Sequence, residues 1–452
     1  MPDKLPNEIA TNCQIELEKN FFRASIPLMK QYKARIADGI LKDKLESKGA
    51  VLIEGAKWCG KTTTASQLAK SVLYLQDPET VHQNLALAEL KPSRLLKGPT
   101  PRLIDEWQMA PTLWDAIRFE VDKRDDFGQF ILTGSAVPAN FSQVHHSGVG
   151  RITRMLMRPM SLFESGESNG SVSLEKLFQG NNITDGQCDI DIDKLSFLIC
   201  RGGWPKALDC SAKVALIQAF DYYKVIIDTD LSRADNVERD RERADRLLRS
   251  YARAIASQTT FQALSRDVAT NEANTLSDTT IMSYIQALKK IFVIEEAPAW
   301  NPNLRSKTAI RTSNTRYFTD PSIGIAALGL GPKDLINNLH TMGLFFENLC
   351  IRDLRVYAES LNGEVYHYRN KNGLECDAVI HLRNGSYGLI EIKLGGETLI
   401  TEGIKTLDAL ACQLEASSLP QPSFKMVLTG LGNMAYTRED GISIVPIGCL
   451  KP

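Results

Sequence analysis

Gly55-Ala56-Lys57-Trp58-Cys59-Gly60-Lys61-Thr62 is the stretch of this sequence that decides the fold of its first part. It satisfies the phosphate-binding pattern G-x-x-x-x-G-K-[ST] at every specified position. In that pattern the glycines let backbone N–H groups point at the phosphates of a nucleotide, and the hydroxyl of the last residue binds Mg²⁺. We therefore expect residues 55–62 and the following Thr63 to bind ATP, with Lys61 on the β and γ phosphates and Thr62 on the metal.

The residues on either side of this loop provide the context that the motif requires. Ala50-Val51-Leu52-Ile53 before it indicates a short buried strand, and residues 63–73 after it indicate a helix whose N-terminus faces the phosphates. Strand, loop and helix in this order predict a parallel α/β domain. The alternative is a glycine turn that only mimics the motif.

The composition bounds the class of protein. The chain has 452 residues, enough for two to four domains, with 43% hydrophobic and 24% charged residues, as in ordinary globular proteins. A formal net charge of −1 excludes a general polyanion binder, so any contact with nucleic acid requires a local basic patch. There is no signal-peptide pattern and no apolar run of about 18 residues. Nine cysteines without a C-x-x-C pair suit a reducing cytoplasm, and we expect no membrane association.

Two further strands carry polar residues at their ends. Arg102–Ile104 lead into Asp105 and Glu106, which we expect to hold Mg²⁺ and to activate the attacking water as general base, respectively. An acidic turn facing solvent is the alternative. The strand Gln129–Leu132 ends in Thr133 and Ser135, and either of these is a candidate to sense the γ-phosphate or the water.

The segment from Gly150 to Glu164 makes a family resemblance specific. Together with the loop, "LIDEWQ" and "ILTGS", its pattern "GR…RPMSLFE" resembles AAA-type P-loop ATPases of undefined role in bacteria and archaea. The resemblance implies that residues 25–165 form the ATPase domain, after an N-terminal extension over 1–24. It also implies an arginine that stabilises charge on the γ-phosphate. Arg151 is the best match and Arg154 the second, while a basic strand facing solvent remains an alternative.

The middle of the chain is predicted to be mostly helical. Residues 166–194 are rich in Ser, Gly, Asn and Asp and indicate a linker, with a short helix over 174–178. Residues 195–334 resemble the winged-helix-like module of the same protein group, with helices over 260–267 and from Ser277 and a short strand over 292–294. Arg201-Gly202-Gly203-Trp204-Pro205 predicts a turn that docks Trp204. Seven arginines between 233 and 253 alternate with five acidic residues, which favours a solvated helix face over a nucleic-acid surface.

The last part of the chain, residues 335–452, resembles restriction-endonuclease-like domains with the PD-(D/E)xK pattern. A helix with Glu347 precedes strands predicted at 365–369, 375–382 and 387–394, which carry Asp377 and the E-x-K residues Glu391 and Lys393. The resemblance implies that the three carboxylates bind Mg²⁺ and that Lys393 positions water or steadies a phosphate. Such a domain can also keep the fold without cleaving anything.

Strand register tests this site from the sequence. Asn384-Gly385 favours a two-residue turn that pairs 383 with 386 and points Asp377 away from Glu391. The apolar residues require a different register, because one face of each strand must lie on the core. We therefore expect an odd-length loop or a bulge, which places Asp377, Glu391 and Lys393 on one face.

Taken together, these patterns predict an α/β protein with three parts: a P-loop AAA-type parallel-sheet domain, a helical or winged-helix middle and an α/β endonuclease-like C-terminal domain. We expect Mg²⁺-dependent ATP hydrolysis that is coupled to DNA or RNA at the C-terminal domain, with a homo-oligomer if an arginine acts in trans. The alternative is an ATP-gated scaffold whose nuclease-like domain is inactive and binds a protein partner.

Overall fold

The structure is a computed structural model that describes residues 32–136, 147–183, 185–269, 277–301, 313–416 and 419–452. Residues Arg35–Pro452 form one unit, and the description concerns that unit. The predicted N-terminal extension over 1–24 and the polar break through Asn274 lie outside the described residues.

A five-stranded parallel sheet forms the centre of the first part. Its strands are β1 (Ala50–Glu54), β2 (Ser71–Tyr74), β3 (Arg102–Asp105), β4 (Phe130–Gly134) and β5 (Ile152–Leu156), in the spatial order β2-β3-β4-β1-β5. Helices cover it: α1 (Ile36–Ser47), α2 (Lys61–Leu68), α3 (Val81–Leu90) and α4 (Leu113–Arg124). The central strands β1 and β4 are apolar on both faces, which is typical of a parallel sheet between helix layers.

One element boundary in this domain differs from the prediction. The helix expected over 63–73 ends at Leu68, and the residues from Ser71 onward form the edge strand β2. The run Val72-Leu73 can satisfy either a helix face or a short strand, because short apolar runs are ambiguous. Pairing with β3 through Val72 and Leu103 decides for the strand.

The middle module is mainly helical and the linker is mostly irregular, as predicted. The linker contains β6 (Val172–Ser173) and the predicted short helix α5 (Leu174–Phe178). The module contains α6 (Ile192–Arg201), α7 (Ala212–Val225), a π-helix (Ile226–Asp230), α8 (Leu231–Arg233), α9 (Arg241–Arg253), α10 (Phe261–Val268), α11 (Asp278–Lys290), α12 (Pro321–Leu328) and α13 (Pro332–Asn337). Thr260 and Ser277 cap α10 and α11 through their side chains.

The strand predicted over 292–294 is only partly present. Phe292 has a positive φ of 57° and belongs to the turn that ends α11. Ile294 then forms an isolated antiparallel bridge with Phe318, and Ala297 forms another with Thr315. A pair of bridged extended segments therefore follows the helices.

A mixed six-stranded sheet forms the last part. Helix α14 (Leu339–Ser360) precedes the strands β7 (Gly363–Arg369), β8 (Glu375–Leu382) and β9 (Tyr387–Lys393), and α15 (Glu397–Ala416) leads to β10 (Phe424–Thr429), β11 (Tyr436–Thr437) and β12 (Ile442–Pro446). The spatial order is β11-β12-β10-β9-β8-β7. β13 (Leu450–Lys451) returns to pair with β6 of the linker.

A buried ion network joins the parts of the chain. The guanidinium of Arg352 on α14 donates to Asp320 Oδ2 at 2.9 Å and to Asp353 Oδ1 at 2.8 Å. Asp320 also accepts from the backbone N–H of Gly203, and Asp353 accepts from that of Leu162. The network thus connects the end of the ATPase-like domain, the Gly-Gly-Trp turn and the C-terminal helix.

Long apolar helices of the kind that cross a membrane do not occur among the described residues.

Candidate functional site

The phosphate loop joins β1 to α2 and depends on its two glycines. Gly55 has a φ of 151°, and a Cβ there would lie 2.1 Å from the carbonyl oxygen of Met157. Gly60 has a φ of 103° and stands at the left-handed position before the first residue of α2. A side chain at Gly55 would collide with the backbone of Met157, and one at Gly60 would be strained by the positive φ, so both motif glycines have a physical cause here.

Lys61 is buried at the start of the helix. The residue is only 5% exposed. Its Nζ donates to the carbonyl oxygen of Gly55 at 2.9 Å and to that of Ala56 at 2.8 Å. The ammonium group is therefore held across the opening of the loop. A cation in this position, next to the N-terminus of a helix, suits the binding of phosphate.

Asp105 lies at the end of β3 with two hydroxyl groups on one oxygen. Thr62 Oγ1 donates to Asp105 Oδ1 at 2.6 Å, and Thr133 Oγ1 donates to the same atom at 2.7 Å. Asp105 is 2% exposed, so this hydroxyl cluster is shielded from bulk water. A carboxylate beside a threonine hydroxyl is a donor set that fits Mg²⁺, a hard cation that prefers oxygen ligands.

Glu106 is the next residue and is held by a second set of contacts. Its φ of 57° places it in the left-handed region. Ser135 Oγ donates to Glu106 Oε2 at 2.8 Å, and the side-chain amide of Gln108 donates to the same oxygen. The structure thus brings the predicted base and the predicted sensor serine together.

Gln108 is a site residue that sequence reasoning missed. Its Nε2 contacts both Glu106 and Ser135, whereas its Oε1 is buried without a hydrogen-bond partner among the described residues. A buried amide oxygen without a partner is unusual in proteins and marks a position that can accept a hydrogen bond. The signal was present in "LIDEWQ", two residues beyond the base.

Arg151 lies elsewhere than expected. Its backbone oxygen accepts from the N–H of Ala50, so it stands at the amino end of the parallel sheet, whereas the phosphate loop follows the carboxyl end of β1. The five residues of β1 span roughly 16 Å. Its guanidinium instead forms an ion pair with Asp122 at 2.7 Å. Arg151 therefore cannot contact a nucleotide bound in the loop of its own chain.

Arg154 lies on the edge of the sheet and pairs with the residue that precedes the loop. It is in the middle of the edge strand β5, directly beside Leu52, and its guanidinium forms an ion pair with Glu54 at 3.3 Å. It also lies over the ring of Trp114, 5.4 Å from the centroid. In this structure its side chain is 44% exposed and is held by Glu54 and Trp114.

The middle module contacts the remaining loop residues. Lys57 Nζ lies 2.5 Å from Asp230 Oδ1 on the π-helix, and the ring of Trp58 lies 5.2 Å from that of Tyr222 on α7. Cys59 is buried and its Sγ donates to the carbonyl of Met157, while Thr63 is exposed on the first turn of α2. Sequence reasoning did not find these contacts, because the partners are far apart in the chain.

The register of β8 and β9 is the one that the apolar pattern predicted. Ala378 pairs with Ile390 and His381 with Tyr387, so that 382 lies opposite 386 and the loop has the three residues Arg383-Asn384-Gly385. The expectation of an odd loop is confirmed. The same register brings Asp377 opposite Glu391.

The charged side chains of this sheet converge on Lys393. Its Nζ lies 3.2 Å from Asp377 Oδ2 and 2.7 Å from Glu391 Oε2. Burial and the charge of Asp377 raise the pKa of Glu391 to about 8. Burial and the same carboxylate also raise the pKa of Glu347 on α14, whose Oε1 accepts from the hydroxyl of Tyr317 at 2.6 Å.

This cluster has the chemistry of a cation site but is arranged around an ammonium group. Mutually repelling carboxylates with raised pKa values favour the arrival of positive charge. Lys393 supplies that charge here, and the described residues contain no group of three or more His, Cys, Asp or Glu side chains placed to hold a metal ion. A divalent cation at Asp377 and Glu391 therefore requires Lys393 to move.

The arginines and lysines of the middle module are largely paired. Lys289 and Lys290 on α11 form ion pairs with Glu296 at 2.8 Å and with Asp235 at 3.8 Å. On α9, Arg253 pairs with Asp267 at 2.8 Å. These basic side chains are thus paired with acidic residues of neighbouring elements.

Comparisons with known proteins divide the chain in three. Residues 47–165 match the family model of an AAA domain, residues 192–334 that of a domain of unknown function (DUF8612), and residues 342–450 that of another domain of unknown function (DUF4143).

Two mycobacterial proteins are similar over most of the chain. They are the uncharacterized proteins Rv2008c of Mycobacterium tuberculosis and Mb2031c of Mycobacterium bovis, each 23% identical over 377 residues, which cover 82% of this chain and 76% of the relative. Among solved structures, the Walker-type ATPase PABY2304 of Pyrococcus abyssi is matched with a TM-score of 0.40 and 14% identity, over 66% of this chain and 97% of that one. The family model over residues 47–165 supports a P-loop domain of the AAA type in that part of the chain.

Proposed function

We propose that this chain hydrolyses ATP in a reaction that depends on Mg²⁺. The observation that supports it most directly is the pairing of two adjacent acidic residues with separate hydroxyl partners. Asp105 accepts from Thr62 and Thr133, whereas Glu106 accepts from Ser135. This arrangement supports a role for Asp105 in holding the metal and for Glu106 in activating water.

Each residue then has a defined part in the reaction. Lys61 and the backbone of residues 55–62 bind the phosphates, and Thr62 and Asp105 would hold Mg²⁺, which neutralises phosphate charge when bound. Glu106 accepts the proton of the attacking water, and Ser135 and Gln108 fix the direction of its carboxylate. Arg151 is ion-paired with Asp122 at the amino end of the sheet, so an Arg151 that stabilises the γ-phosphate would have to come from a second copy of the chain.

Nucleotide binding and hydrolysis by purified protein test this proposal. The variant Lys61→Ala is expected to lose ATP binding and phosphate release, whereas the matched surface variant Lys97→Ala keeps both. Thermal unfolding should confirm that both variants are folded. Phosphate release by Lys61→Ala at the rate of the unchanged protein would exclude the loop as the catalytic nucleotide site.

We further propose, as a second function, that the C-terminal domain binds nucleic acid and cleaves it with a divalent metal under the control of the ATPase. The convergence of Asp377, Glu391 and Lys393 favours it, since two carboxylates and a lysine on one sheet face can hold a cation and a phosphodiester. The helices α9, α10 and α11, followed by the bridged segments at 294–297 and 315–318, support a winged-helix-like module beside it.

Cleavage of DNA or RNA with Mn²⁺ separates this function from the scaffold alternative. We expect Asp377→Asn to abolish cleavage and Asp408→Asn, a surface change on α15, to leave it intact. If neither DNA nor RNA is cut by the unchanged protein while ATP is hydrolysed, the domain acts as a binding scaffold for a protein partner instead.

A further inference from the structure

The contact between Lys57 and Asp230 links the phosphate loop to the middle module. Lys57 Nζ lies 2.5 Å from Asp230 Oδ1, with the lysine side chain 40% exposed and the aspartate side chain 6% exposed. Among the described residues, Lys57 is the cation that forms an ion pair with Asp230. A nearly buried carboxylate therefore depends on a cation from the loop.

The position of Lys57 in the loop suits a second role. It follows Ala56 directly, and the carbonyl oxygen of Ala56 accepts from Lys61 Nζ at 2.8 Å. The backbone of Lys57 thus lies one residue from the point where the phosphate-binding ammonium group is held. Its side chain begins beside the phosphate position and ends on the middle module.

Asp230 stands where the middle module can rearrange. It is the last residue of the π-helix Ile226–Asp230, which directly continues α7. Single-turn π segments inside helices are uncommon and often lie at functional sites. On the preceding helix, Tyr222 contacts Trp58, so that this segment covers two consecutive loop residues.

We propose that the γ-phosphate of ATP takes Lys57 away from Asp230, so that Lys57 becomes a ligand of ATP but not of ADP. This inference rests on the proposed nucleotide binding. The carboxylate of Asp230 and the γ-phosphate then compete for the ammonium group of Lys57. The γ-phosphate carries more negative charge than one carboxylate. ADP has no γ-phosphate and leaves the ion pair in place.

The exchange also has a consequence for the middle module. A buried carboxylate that loses its cation is strongly destabilised, so Asp230 must reach water or another partner when Lys57 leaves. The π-helix that carries Asp230 must then change its conformation. The release of Asp230 by Lys57 thus couples the binding of the γ-phosphate to the conformation of the segment that leads from α7 to α8.

Nucleotide affinities of Asp230→Asn test the exchange. Because asparagine does not hold the ammonium group as strongly, the ratio of the ADP to the ATP dissociation constant should rise by at least about fivefold, the lower end of couplings between linked sites. The matched control is Asp228→Asn on the same π-helix, whose side chain is exposed and paired with Arg241. The control should leave the ratio unchanged.

A double variant keeps the test decisive if Asp230→Asn folds poorly. Lys57→Met alone should lower the preference for ATP over ADP, and adding Asp230→Asn to Lys57→Met should then have no further effect on the ratio. A ratio that does not respond to Asp230→Asn, or that responds equally without Lys57, would overturn the exchange while leaving nucleotide binding intact. Failure of the unchanged protein to bind ATP would overturn the proposed function as well.

Discussion

The ion network around Arg352 gives a quantitative prediction of stability. The guanidinium is 1% exposed and donates to Asp320 and Asp353, whose side chains are fully buried. The change Arg352→Met keeps most of the apolar stem but leaves two carboxylates without their cation. Breaking a buried pair in this way costs about 3–5 kcal/mol. Since Asp320 and Asp353 also hold backbone N–H groups of two other segments, the loss should affect the packing between domains.

The matched control is an exposed ion pair. Arg253→Met removes the ion pair with Asp267. The two side chains are 67% and 35% exposed, so the change should lower the free energy of unfolding by less than about 1 kcal/mol. Urea unfolding, monitored by tryptophan fluorescence, measures the free energy of unfolding of both variants. Trp204 lies next to the network, because its Nε1 donates to Ser322 at 2.9 Å. The loss in Arg352→Met should grow with pH, because burial raises the pKa of Asp353 and, without its cation, this carboxylate escapes its unfavourable charge by protonation only at lower pH. A loss within 1 kcal/mol of the control would refute this reasoning.

Three further predictions concern single side chains. Gln108→Leu should lower the rate of ATP hydrolysis by about tenfold or more without changing ATP affinity, since it removes a donor to Glu106; steady-state phosphate release and nucleotide titration check it. Tyr317→Phe should weaken Mn²⁺ binding at the C-terminal domain by about tenfold, because Tyr317 donates to Glu347 and partners that orient metal ligands contribute that much. Calorimetry checks it, and equal affinity would contradict it. Burial lowers the pKa of His367 to about 4, so the folded state lacks a proton that the unfolded state binds between pH 4 and 6.5. Stability should therefore fall by about 3 kcal/mol as the pH drops through this window, and His367→Gln should lack this part of the pH dependence.

Most strands of the parallel sheet and the register of β8 against β9 could be predicted from the sequence, because both depend on local physical patterns. A glycine motif between an apolar strand and a helix leaves little freedom. The odd loop at residues 383–385 followed from the requirement that Ala378 and Ile390 both face the core. That argument outweighed the local turn signal of Asn384-Gly385.

The contacts that complete the site were not accessible in the same way. Lys57 and Asp230 are 173 residues apart, and no periodicity relates them. Arg151 was misplaced because a sequence motif does not state at which end of a parallel strand a residue lies. Residues 71–73 were predicted to be the end of a helix, since a short apolar run fits both periods and only pairing with β3 decides.

Hydrolysis by Glu106→Gln is the measurement that tests the central claim most directly. The change keeps the size of the side chain and its contacts with Ser135 but removes the base. We predict that this variant binds Mg·ATP as tightly as the unchanged protein and releases phosphate at least about 100-fold more slowly, while Glu120→Gln on α4 behaves as the unchanged protein does. Phosphate release by Glu106→Gln at an undiminished rate would contradict the assignment of Glu106 and, with it, the proposed ATPase site.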